Sequence, residues 1–75
     1  MTKELYKMLK SSAQAEKDKA LLSLELLGNN AVGIGDHSTE DFYKNAEEAL
    51  SMLVDADDKL ETLEKYFNTS EQVNG

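Results

Sequence analysis

Apolar positions recur along the second half of the chain with a helical period. Phe42, Ala46, Ala49, Leu53, Ala56, Leu60, Leu63 and Phe67 follow alternating spacings of four and three, a heptad seam over more than three repeats. Such a seam belongs to a helix that packs against other helices, and its residues are the predicted oligomer interface. Tyr43, Leu50, Met52 and Tyr66 fall at the flanking e and g positions, widening the apolar face beyond the seam of a two-stranded coiled coil. The small Ala46, Ala49 and Ala56 alternate with Leu53 and Leu60, a pattern suited to close helix approach.

The first half carries a looser version of the same signal. Leu5, Leu9, Ala13, Glu16, Ala20, Leu24 and Leu27 follow spacings of four, four and three, while Met8, Leu21, Leu22 and Leu26 broaden the apolar surface towards both ends. Between Lys10 and Lys19 the apolar residues are Ala13 and Ala15 alone, so that stretch should be thinly packed or closely approached by another helix. Thr2 has the side chain of an N-cap, and Gly28 is placed to end the helix in a left-handed C′ conformation.

These signals predict a helix over 3–27, an ordered loop over 28–38, a helix over 39–67 and a flexible polar tail over 68–75. Val32 and Ile34 in the glycine-rich connector are apolar beyond the needs of a tether, and they are expected to fold back over the helix ends. Ser38 with Asp41 forms a variant of the capping box, and His37 just before it is placed to staple onto Phe42. At about 1.5 Å per residue the helices would run roughly 37 and 43 Å, matched for an antiparallel hairpin. The expected fold is therefore all-α: a two-helix hairpin that dimerises into a four-helix bundle, since one hairpin cannot cover both broad stripes.

Composition narrows the options. A chain of 75 residues seldom buries enough apolar surface alone, and with no cysteine for disulfides the remaining sources of stability are long helices and oligomerisation. No run approaches the roughly 20 apolar residues of a membrane span, so a soluble, cytoplasmic protein without membrane contact is expected. The net charge is −7, divided unevenly: residues 1–19 hold five lysines against three acids, and residues 20–75 hold three lysines against twelve. A chain that is acidic overall and lacks arginine is poorly equipped to replace counterions on phosphates, so no nucleic acid is expected as a partner. In a hairpin, Lys3, Lys7 and Lys10 would come near Asp57, Asp58, Glu61 and Glu64.

Candidate chemistry is sparse. Asp36, His37 and Ser38 are the residue types of a hydrolytic triad, but a triad is assembled in space and sequence neighbours point apart. Gly28, Gly33 and Gly35 follow a helix and lack the lysine of a phosphate loop. The acids Glu47, Glu48, Asp55, Asp58 and Glu61 occupy the b, c and f positions of the heptad, away from the seam, whereas magnesium sites of helical pyrophosphohydrolases hold their carboxylates inside the bundle. No catalytic residue, cofactor or metal ligand is therefore assigned.

Three segments carry a resemblance. Val32-Gly33-Ile34-Gly35-Asp36-His37-Ser38, then Asp41-Phe42-Tyr43-Lys44-Asn45, then Asp58-Lys59-Leu60-Glu61 to Lys65-Tyr66-Phe67, resemble a family of small helical proteins of tailed phages, particularly those infecting marine cyanobacteria. The resemblance implies a phage source, and with it the cytoplasm of an infected cell. It carries no activity and no functional residue. The expected function is non-enzymatic, through self-association and contacts with a host or phage protein. An acidic decoy or DNA mimic on a basic protein surface is the alternative, and a metal-dependent enzyme with a site between subunits is a third, weaker one.

Overall fold

The computed structural model describes residues 1–29 and 39–68, the side chain of Thr39 excepted. Two helices, α1 (Lys3–Asn29) and α2 (Thr39–Phe67), pack against each other as a helical hairpin. The described residues contain no strand, no cis peptide bond and no positive φ. Val32, Ile34, Asp36, His37 and Ser38, with the cap and staple expected of them, lie outside the described residues.

Helix α1 starts where the threonine directs it. The Leu5 amide donates to Thr2 Oγ1 at 3.1 Å and the Tyr6 amide donates to the Thr2 carbonyl at 2.9 Å. One otherwise unpaired N-terminal amide thus finds an acceptor, which is the work of an N-cap. At its other end α1 departs from expectation. It runs through Gly28 to Asn29, and Gly28 lacks the positive φ of a C′ residue. Glycine tolerates an αL stop without requiring one, and two extra residues of helix keep backbone hydrogen bonds that the stop would have ended. Helix α2 has acids Glu40 and Asp41 in its first turn and Lys65 in its last, each sign suited to the helix dipole.

Alanines make the core. Ala13 and Ala20 on α1 and Ala49, Ala56 and Leu63 on α2 are buried, with Ala20 and Ala56 at 0% exposure. The seven-residue period of α2 and the eleven-residue pattern of α1 put these methyl groups on facing stripes, and no bulk holds the helices apart there. Leucines flank the alanines: Leu9, Leu24, Leu27, Leu53 and Leu60 are half-buried, with Leu53 and Leu60 interleaved between Ala49, Ala56 and Leu63. No large side chain is fully buried among the described residues.

Candidate functional site

The seam predicted as an oligomer interface lies against α1 of the same chain. Ala49, Ala56 and Leu63 are buried by the hairpin, Phe42, Ala46, Leu53 and Leu60 are half-buried, and Phe67 at the end is 36% exposed. The intramolecular contact therefore takes up the small residues and leaves the larger ones with uncovered edges. Any further layer would meet those edges and the flanks.

Two ion pairs mark the sides of the hairpin. Lys17 Nζ lies 3.1 Å from Asp57 Oδ1, and Lys59 Nζ lies 3.0 Å from Glu16 Oε1. Residues 57 and 59 stand on opposite sides of the α2 seam at 100° per residue, so each pair closes one edge of the helix contact. This corrects the expected pairing of Lys3, Lys7 and Lys10 with the acids of α2. Instead, the Lys10 ammonium sits 5.9 Å from the centre of the Tyr6 ring, and the Tyr6 hydroxyl donates to Glu64 Oε2 at 3.3 Å. The other Glu64 oxygen accepts from Asn68 Nδ2 at 2.8 Å. The second pair also explains a glutamate in the α1 seam: Glu16 is half-buried and leans to the edge to meet Lys59. All four charged groups remain partly in water, so each pair is worth only about 0–1 kcal/mol.

On the Glu16–Lys59 side a groove follows the helix contact. Near the connector it is lined by Ser23, Leu26, Leu27, Ala49 and Met52, and near the chain start by Leu9, Ser12, Ala13, Thr62 and Leu63. Between these two stretches lies an open, largely charged depression lined by Glu16, Lys44, Glu47, Glu48, Ser51, Met52, Asp55 and Lys59, which shares Glu48 and Met52 with the first and Glu16 and Lys59 with the second. The opposite side carries the Lys17–Asp57 and Tyr6–Glu64 links, with Tyr43, Leu50 and Val54 exposed beyond them.

The flanking residues singled out by the heptad frame remain uncovered: Tyr43, Leu50, Met52 and Tyr66 are all exposed, Tyr66 at 63%. On α1, Leu5, Met8, Leu21, Leu22 and Leu26 are exposed as well, Leu22 at 54%. Val54 joins them, and the heptad frame had no place for it. Its signal is the spacing from Tyr43 to Leu50 to Val54, seven then four, which continues one flank of α2. Apart from the hydroxyls of Tyr43 and Tyr66, these side chains have little polar chemistry to offer. What they provide is surface that water disfavours.

Polar groups on the hairpin are spread outward. Glu47, Glu48, Asp55, Asp58 and Glu61 are exposed, as the heptad frame placed them, and so are Asp57 and Glu64 beside the seam. No three or more His, Cys, Asp or Glu side chains among the described residues are grouped to hold a metal ion, and no buried side-chain nitrogen or oxygen among them lacks a hydrogen-bond partner. None of the described helices is long and apolar enough to cross a membrane. No known protein family, no curated protein and no solved structure matches this chain.

Proposed function

We propose that this chain is a non-enzymatic assembly protein: the hairpin pairs with a second copy to form a four-helix bundle, and the bundle acts through contacts with another protein. One observation carries the reading. The isolated hairpin buries four alanines and one leucine, while twelve large apolar side chains of the described residues stay exposed. A hydrophobic contribution of about 25 cal/mol per Å² needs far more buried surface than alanine methyls supply to offset the entropy of ordering two long helices. A second apolar layer supplies it. The resemblance to small tailed-phage proteins supports an accessory role in the cytoplasm of an infected cell.

Sedimentation equilibrium at low micromolar concentration, with circular dichroism melts over a hundredfold range of concentration, tests the proposal. Folding coupled to association raises the melting temperature with concentration. A helical monomer whose melt is independent of concentration would refute it. The exposed carboxylates of α2 favour a second reading, an acidic surface that occupies a basic protein groove. Binding to a basic partner that DNA displaces would select that reading.

A further inference from the structure

The two sides of the hairpin are unequal. The Glu16–Lys59 side carries a row of depressions, apolar at both ends and charged in the middle, with Leu26 and Met52 exposed near the connector and Leu5, Met8 and Tyr66 exposed near the chain start. At 100° per residue all five of these side chains fall on this side or its outer margin. The other side has its exposed apolar residues in the connector half only, since its remaining length carries Lys3, Lys10, Lys17, Asp57, Glu61 and Glu64 with the half-buried Tyr6. The grooved side carries as many ionic groups in its central stretch, Glu16, Lys44, Glu47, Glu48, Asp55 and Lys59, so the two sides differ in the placing of their apolar residues and not in their charge.

The ends are unequal too. Around the connector, residues 20–29 and 39–49 hold Glu25, Glu40, Asp41, Glu47 and Glu48 against Lys44, a net charge of −4. At the opposite end, residues 1–10 and 58–68 hold Lys3, Lys7, Lys10, Lys59 and Lys65 against Glu4, Asp58, Glu61 and Glu64, a net charge of +1. Two copies stacked in the same direction would set −4 beside −4 within the 8–10 Å spacing of packed helices, about one Debye length at physiological salt. Reversed copies set −4 beside +1. With a net charge of −7 on each chain, the arrangement that separates the acidic ends has the lower energy.

Resting on the self-association reading above, we infer that the second copy docks on the grooved side, turned end for end. The occupant of each groove is then the same face of the same chain. Leu26 and Met52 of one copy meet Met8 and Tyr66 of the other, the interface is isologous, and the Glu16–Lys59 pairs lie at its centre. Both ends of the groove need apolar cover, and in this orientation each end provides it for the other.

Position and direction are read separately from assembly. The chain has no cysteine, so Asn29→Cys introduces one attachment point for a nitroxide spin label on an exposed residue at the connector end of α1. Reversed copies centred on Glu16 separate the two labels by 26 residues of helix rise, about 40 Å, whereas copies in the same direction bring them within about 20 Å. A pulsed dipolar distance near 40 Å supports the reversed dimer, and a dominant short distance overturns it. A monomer in sedimentation defeats the self-association reading itself, an outcome distinct from a dimer of the wrong direction. The docking side is tested by Met52→Glu and Val54→Glu, both at exposed positions, with helicity checked in each. Loss of the dimer in Met52→Glu with retention in Val54→Glu supports the grooved side. The reverse result places the partner on the other side and refutes the inference.

Discussion

Ala56→Leu gives the sharpest test of how the helices are held together. Ala56 and Ala20 have no exposed surface and stand on the facing stripes of the two helices, between half-buried leucines. Such contact requires axes near the lower end of the usual 8–10 Å range. Leucine adds three carbons, which would contribute about 2.4 kcal/mol at ~0.8 kcal/mol each if they could be buried without rearrangement. There is no space for them between the helices, and moving α1 outward would uncover Ala13, Ala20 and Ala49 together. Overpacking of this kind costs about 1–3 kcal/mol, and the loss of helix propensity from alanine to leucine is small beside it. At 4–8 °C per kcal/mol the melting temperature should fall by about 4–24 °C. The assay is a thermal melt followed by circular dichroism at one fixed concentration, so that the proposed association would contribute equally to parent and variant. Ala15→Leu serves as control: Ala15 is exposed on the same helix that Ala56 faces, and its substitution should change stability by less than about 0.5 kcal/mol. A variant at position 56 that melts at or above the parent temperature would show that the alanines do not set the helix spacing.

Three further outcomes are expected. Gly28→Ala should raise stability by up to about 1 kcal/mol, because Gly28 is helical and an added Cβ meets nothing within 4 Å; a lower melting temperature would restore the left-handed stop. Thr2→Ala should cost about 0.5–2 kcal/mol by removing the acceptor of the Leu5 amide, and hydrogen exchange of that amide should accelerate; unchanged exchange would mean that the cap is not formed in solution. Leu53→Asp places a carboxylate at a half-buried position of the seam, where desolvation costs several kcal/mol, so helicity and dimer should be lost together; a helical monomer would uncouple folding from association.

Much of the hairpin was legible in the chain because its causes are local. A period of 3.5 in apolar positions fixes which stripe of α2 is inward, and small residues on that stripe decide that the helices approach closely. Thr2 acts on amides three and four residues away, so its role as a cap needed no knowledge of the rest of the fold. The outward acids of α2 followed from the same heptad frame.

The tertiary structure decided what depends on register and on competition between alternatives of similar energy. Gly28 could stop α1 or continue it at comparable cost, and the structure continues it. Lysines at positions 3, 7, 10 and 17 all face acids across a hairpin within a turn or two, and sequence cannot set the stagger of two helices to that precision. The structure selects Lys17 for Asp57 and reverses the sign of the other pair by giving Lys59 to Glu16. It also decided that the seam is spent largely within one chain, which leaves Leu26 and Met52 on the grooved flank exposed. Heptad spacing marks a stripe that wants another helix. Whether that helix is the chain's own or a neighbour's depends on how the connector returns the chain, a property of the folded whole.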